Sequence, residues 1–271
     1  MLLYRYFGSH AFESLRDCEL MASRIVRLND PLEFKYRVTG TMTDSRSLAL
    51  IIRLSKKPKS YWESHPAQLE AERKELRRRQ QSFAEAAKPE NLRIEKGYRV
   101  VCFSSSTVSK RNEILLWSHY ANKHTGVRIG FTFPANLRDP FRLYKVKYRK
   151  QRVPLDATKG ADGIVHMKKV FEECQYRKSS AWKYEREYRG ISHLTMVKRG
   201  EQRRVRVMGR RRQELFVKIE PSWVQSVDLG LNCPAKERSR IIALLKVRYP
   251  HVSCREAKPH KSAYELVLTS V

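Results

Sequence analysis

The chain has 271 residues, 41% of them hydrophobic, enough for one large domain or two small ones with a real core. Lys and Arg number 56 against 28 Asp and Glu, a formal net charge of +28, so the surface must either meet a polyanion or bear its own repulsion. No apolar run approaches the roughly 20 residues that span a bilayer, and nothing behind the opening Met-Leu-Leu-Tyr-Arg reads as a secretion signal, so a cytoplasmic protein without a membrane partner is expected. Five cysteines (Cys18, Cys102, Cys174, Cys233, Cys254) without any Cys-x-x-Cys spacing indicate neither a disulfide framework nor a zinc knuckle, and they read as reduced thiols. Nucleic acid is the partner that such a charge favours, and an acidic protein would satisfy the same field.

In chain order, Leu2 to Phe7 is an aromatic-rich strand closed by Gly8, with Ser9 as N-cap of a short helix bearing Phe12 and Leu15 on one face. Arg5 is the single charge of that strand. It reads either as a solvent-facing residue or as a grip for a pyrophosphate, since a guanidinium binds phosphate oxygens bidentately. Asn29 and Asp30 before Pro31 predict a turn and a helix start. From about Pro66 to Lys88 the pattern is a long charged helix with Leu69, Leu76 and Phe83 seven apart, a stripe suited to an inserted arm rather than a long coiled coil.

Tyr98 to Phe103 is a buried strand that runs into Ser104-Ser-Ser-Thr107, hydroxyls able to cap a turn or to hold a ribose. Leu115 to Ala121 is apolar with an interruption at Ser118 and His119, and His119 reads as a hydrogen-bonded structural histidine before it reads as a catalyst. Gly126 to Phe133 is a further strand in which Gly130 marks a bulge or a close approach. Leu143 to Arg152 alternates apolar or aromatic residues with basic ones, as a strand with one basic face would. A gap near Gly160 to Gly163 then leads to a helix ending near Lys178.

The stretch Trp182-Lys-Tyr-Glu-Arg-Glu-Tyr-Arg189 organises the rest. As a strand it places Tyr184, Arg186 and Tyr188 on one face, and Glu185, Glu187 and Arg189 on the other. Two carboxylates about 7 Å apart with a guanidinium next in line could serve one sugar-sized ligand; a solvated charged face is the ordinary alternative. After it, a basic segment at about 196–218 crowds Arg203, Arg204, Arg206, Arg210, Arg211 and Arg212 together, a density that phosphates would neutralise. A helix from about Lys236 to Arg248 and a strand Tyr264 to Leu268 close the chain. No internal repeat and no regular βαβ alternation appears, so the expected class is α+β.

Leu28-Asn-Asp-Pro-Leu-Glu, Val101-Cys-Phe-Ser, Leu116-Trp-Ser-His-Tyr-Ala, Gly126-Val with Phe131, the Trp182–Arg189 stretch and Val227-Asp-Leu-Gly resemble, in that order, a widespread bacterial family catalogued only as a domain of unknown function. A strand with Arg, a later strand ending in serines and a third bearing Glu-x-Glu further resemble the Arg, Ser, Glu signature of ADP-ribosyltransferases, in particular members that modify nucleic acids. Departures are Ser-Ser-Ser where Ser-Thr-Ser is usual, and a long insertion before that strand.

That second resemblance implies a single domain over 1–271, a split β-sandwich with flanking helices, with an inserted charged helix at about 55–90. It implies NAD as co-substrate and no metal. Glu187 would be the catalytic carboxylate, Glu185 would orient or deprotonate the acceptor, and Arg5 would hold the pyrophosphate. Ser104 or Ser105 would support the ribose, and Tyr4, Tyr120 or Tyr184, beside His119, would line the nicotinamide site. The acceptor implied is a nucleic acid, RNA before DNA, and the role a toxin or phage-defence effector restrained by an acidic antitoxin or inhibitor. A metal-dependent nuclease using Glu185 and Glu187, and a non-catalytic nucleic-acid-binding protein, are the alternatives.

Overall fold

In chain order the first elements are β1 (Leu2–Phe7), α1 (Ala11–Asp17), β2 (Glu19–Arg24), β3 (Tyr36–Thr39), α2 (Asp44–Ser55), α3 (Lys59–Ser64), α4 (Pro66–Ala86) and β4 (Tyr98–Ser105). There follow α5 (Lys110–Tyr120), β5 (Val127–Thr132), β6 (Tyr144–Lys145), β7 (Lys147–Arg149), β8 (Val153–Asp156), α6 (Gly163–Gln175), β9 (Arg177–Ser179) and β10 (Glu187–His193). The chain ends with α7 (Leu194–Lys198), β11 (Val205–Met208), β12 (Glu214–Lys218), β13 (Val224–Leu229), α8 (Ala235–Arg248), β14 (Ser253–Pro259) and β15 (Leu266–Ser270). This computed structural model describes residues 1–40, 42–86, 97–135, 137, 142–156, 158, 163–199, 205–208 and 214–271. The protein is a mixed α+β fold built on a large sheet that does not close into a barrel. Among the described residues no helix is long and apolar enough to cross a membrane.

Two compact units divide the chain, one comprising Met1–Pro31, Glu95–Tyr148 and Lys178–Val271, the other Leu32–Ile94 and Arg149–Arg177. In the first, strands follow the order β11-β12-β2-β4-β1-β5-β13-β14-β15, with β10 on β4 and β6 on β10. The sheet forks at β4. One edge of β4 is covered by β10 from Tyr98 to Ser104, while the other is shared in succession by β2, at Arg99 and Val100, and β1, at Ser104 and Ser105. Inward residues of both branches, Leu20, Ala22, Leu215 and Val217 from one and Leu3, Ile129, Phe131 and Val227 from the other, meet in a single apolar core. The outward face of β5 is different in kind. Arg128 alternates with Val127 and Ile129 and lies against Asp228, at 2.8 Å from its Nε, with the Tyr4 ring 4.1 Å from its guanidinium. Arg255 reaches the same buried carboxylate at 2.6 Å, so Asp228 is doubly neutralised, as burial of a charge requires.

The second unit contains the parallel pair β3 and β8 and the helices α2, α3, α4 and α6. Tyr36, Val153, Leu155, Val170 and Cys174 form one small core of this unit; Ile51, Trp62 and Leu76 form another, against which Leu69 packs. The long helix starts where the sequence places it, at Pro66, and two of the three heptad-spaced residues, Leu69 and Leu76, join one cluster while Phe83 joins the other.

Several local expectations are corrected. Ser9 does not cap α1: the residue before the helix is His10, in a left-handed conformation and without a side-chain capping bond. No helix starts at Pro31; residues 31–34 form turns. Leu115 to Ala121 belongs mostly to α5, which Ser109 caps by accepting from the Asn112 N–H at 3.4 Å. The central stretch is not one strand. Ser180–Glu185 is a 3-10 turn, Arg186 turns the chain in the left-handed region at φ 46°, and β10 starts only at Glu187.

Candidate functional site

The kink at Arg186 brings two carboxylates of different elements onto one amine. Glu185 closes the 3-10 turn and Glu187 opens β10, both are buried, and Lys178 Nζ donates to Glu185 Oε2 at 2.6 Å and to Glu187 Oε2 at 3.2 Å. Lys178 is itself buried on β9, with its ammonium 4.9 Å from the centre of the Trp182 ring. Arg189, one strand step beyond Glu187 and on the same face, closes a bidentate pair, Nε to Oε1 at 2.6 Å and Nη2 to Oε2 at 2.9 Å. Tyr120, at the end of α5, donates its hydroxyl to Glu185 Oε1 at 2.5 Å. The Glu187 backbone N–H donates to the Tyr148 hydroxyl at 2.8 Å.

Charge balance explains how this quartet survives burial: two carboxylates face two cations. The carboxylates nevertheless titrate in opposite directions. Burial pushes the Glu185 carboxyl up, and Lys178 only partly offsets this. Burial pushes Glu187 the same way, but the charges of Arg189 and Lys178, with the Arg189 and Cys102 hydrogen bonds, outweigh it and hold the carboxyl down at about 2. Glu187 therefore stays ionised at neutral pH. Burial also raises the phenols of Tyr120 and Tyr148, so both remain neutral.

Register places the other expected residues. Glu187 is opposite Ser104 and Ser104 is opposite Tyr4, and residues directly opposed across antiparallel strands share a face. The row continues to Gly130 and Ser226. A side-chain carbon at Gly130 would lie 2.5 Å from Ser226 Oγ and 3.0 Å from the Tyr4 ring, so the expected close approach is real; the bulge lies opposite, between Val224 and Ser226. Ser105 stands one residue on, paired with Leu3, and its hydroxyl meets Thr107 Oγ1 at 2.9 Å in the turn. Arg5 also belongs to the opposite face: its guanidinium stacks 5.2 Å from the Phe7 ring, and Nη2 donates to the Met21 carbonyl at 2.7 Å. Burial lowers its pKa to about 10. Tyr184 is half-buried in the 3-10 turn, beside Trp182. His119 is exposed and meets Tyr120 and Trp182 edge to face.

Of the basic segment, Arg203, Arg204, Arg210, Arg211 and Arg212 lie outside the described residues. Arg206 is described: it grips the Glu19 carboxylate with two nitrogens, Nε to Oε1 at 2.6 Å, and lies 5.0 Å from the centre of the Phe216 ring. Lys178 and Tyr148 are not among the candidate site residues that the sequence alone singles out. Lys178 was visible only as the residue opening Lys-Ser-Ser before the aromatic stretch, and Tyr148 only as one ring of an alternating basic strand. No group of three or more His, Cys, Asp or Glu among the described residues is placed to hold a metal ion.

Residues 116–190 match a sequence family described as a protein of unknown function (DUF2971), a stretch that includes Tyr120, Tyr148, Lys178, Glu185, Glu187 and Arg189. No curated protein and no solved structure matches the chain.

Proposed function

We propose that the protein is an NAD-dependent ADP-ribosyltransferase that modifies a nucleic acid, RNA in preference to DNA, as a cytoplasmic toxin or phage-defence effector restrained by an acidic partner. The row Tyr4–Ser104–Glu187 on three adjacent strands, with Glu187 kept ionised by Arg189 and Lys178, carries this proposal. The forked sheet around one core is the arrangement that a split β-sandwich would need.

As nicotinamide leaves, its bond to the ribose C1′ breaks with the electron pair going to the ring nitrogen, and positive charge develops on the sugar. An ionised carboxylate at Glu187 offsets that charge. A lone pair of the acceptor then forms the new bond to C1′, and its proton passes to Glu185, whose raised pKa suits a base. Ser104 supports the ribose, and the rings of Tyr4, Tyr120 and Tyr184 are available for stacking. Arg5 faces away from this row, so the proposal rests on Glu187 and Ser104. Because both carboxylates are buried, substrate reaches them only if side chains packed around them part.

That burial favours a second reading, in which the quartet is a structural ion cluster within a nucleic-acid-binding protein. Incubation with labelled NAD and RNA, DNA or protein in EDTA separates the two. Transfer of label to RNA is expected. Retention of RNA without transfer supports the binder, and strand cutting that appears only with magnesium supports a nuclease instead.

A further inference from the structure

The strands β6 and β7 border the carboxylate pair and carry an open line of positive charge. Tyr144 and Lys145 pair with Arg189 and Tyr188 of β10, and the Val146 N–H donates to the Glu187 carbonyl at 2.9 Å. Among the described residues β6 pairs with β10 alone and β7 with β9 alone, which leaves each strand one edge without a described partner strand. Val146 is buried, which turns its neighbours Lys145 and Lys147 outward, and both are exposed, as is Arg142. None of these three cations has an ion pair among the described residues. Arg142 lies over the Tyr144 ring, 5.2 Å from its centre. Many of the other cations are spoken for by contrast: Arg206, Arg238 and Arg240 all hold carboxylates.

We propose that this basic edge is the docking rail for a single-stranded nucleic acid, which it delivers to the Glu185–Glu187 site. Lys145 and Lys147, two strand residues apart, are separated by about 7 Å, close to the spacing of successive phosphates along an extended strand. Tyr144, with a guanidinium on its ring, supplies a stacking platform for a base. A base stacks on Tyr144 only when it is unpaired, which a duplex does not present. The proposal rests on a nucleic acid being the acceptor but not on the transfer chemistry, and Glu187, whose N–H and carbonyl bond Tyr148 and Val146, ties the rail to the site.

The test measures binding of a fluorescent single-stranded RNA oligonucleotide across a salt series, for the parent, for Lys145→Ala/Lys147→Ala, and for Lys236→Ala/Lys246→Ala, which removes the same charge from exposed positions of α8. Loss of two phosphate contacts should lower the salt slope of the first variant by about 1.4, while the α8 variant keeps the parental slope. Melting temperature is followed on the same samples, and photocrosslinks from the oligonucleotide should map to a peptide containing Tyr144. An unchanged slope in a folded Lys145→Ala/Lys147→Ala protein overturns the rail, and so do equal losses in the two variants or equal affinity for duplex. If the parent binds no RNA but binds polyglutamate, the nucleic-acid acceptor itself fails, and the rail with it.

Discussion

Glu185 and Glu187 share one ammonium yet lie on opposite sides of the ordinary carboxylate range, so the two contribute to stability with opposite dependence on pH. Glu187 is depressed from 4.5 to about 2 in the fold, so its stabilisation is complete above the ordinary value and is lost as pH falls through that window. Glu185 is raised, so it favours the fold when protonated and loses that increment as pH rises through its folded pKa. Glu187→Gln should therefore flatten the fall in melting temperature between about pH 4.5 and 2. At neutral pH it should cost about 3 kcal/mol, because Arg189 loses a buried partner. A solvated charged face, the ordinary alternative for this stretch, would make the replacement nearly neutral; burial of Glu187 between Arg189 and Lys178 makes it costly instead. Under the proposed chemistry, turnover by the folded variant should drop about 10²-fold or more. Parental turnover would remove Glu187 from catalysis, and a parental melting profile would mean that the cluster does not bear on stability. The paired carboxylates and Arg189 were legible as a spacing of two. Lys178 was not, because it reaches Glu185 only through the fold of the turn between them.

At the scale of elements, β1 and β4 begin where their sequences place them and the last helix, α8, spans Ala235–Arg248, whereas the final strand lies at Leu266–Ser270 rather than Tyr264 to Leu268. Failures came where turn chemistry overrides periodicity. Nothing in Trp182–Arg189 announces a left-handed residue, since neither Gly nor Asn stands at 186, and a period of two therefore looked like a single strand. A glycine was more informative. Gly130 is where the outward face of the sheet leaves room for Tyr4, so Gly130→Ala should push the new methyl into Ser226 Oγ and the Tyr4 ring, at a cost of about 1–3 kcal/mol. Ser226 Oγ is buried without a hydrogen-bond partner among the described residues, so Ser226→Ala sacrifices no bond and opens space. The double variant Gly130→Ala/Ser226→Ala should recover part of the loss, a favourable coupling of about 0.5 kcal/mol or more in denaturant unfolding. Strict additivity of the two single changes would show that Tyr4, and not Ser226, sets the limit at this position.

For the whole molecule the decisive quantity is the excess of cations over carboxylates. With 56 Lys and Arg sharing 28 Asp and Glu, the carboxylates are oversubscribed: Glu75 on α4 accepts from both Arg78 and Arg79, and Asp228 serves Arg128 and Arg255. The remaining positive charges repel one another across the surface, and that repulsion is screened over about 10 Å at 0.1 M salt. Added salt should thus stabilise the isolated protein, with a melting temperature that rises between about 0.02 M and 0.5 M sodium chloride, as self-repulsion is removed. The same salt should weaken nucleic-acid binding over that range, because each phosphate contact releases condensed counterions whose entropy gain shrinks as bulk salt rises. The opposite signs matter, since a general salt effect on folding would move both quantities together. In the presence of saturating RNA the stability curve should invert, melting highest at low salt, where binding is tightest and contributes most to the folded state. The experiment is a melting series in salt with and without the oligonucleotide. A melting temperature that falls with salt in the free protein would mean that attractive pairs outweigh repulsion despite the net +28, and curves of the same sign with and without RNA would deny the polyanion its place as the ligand that this charge awaits.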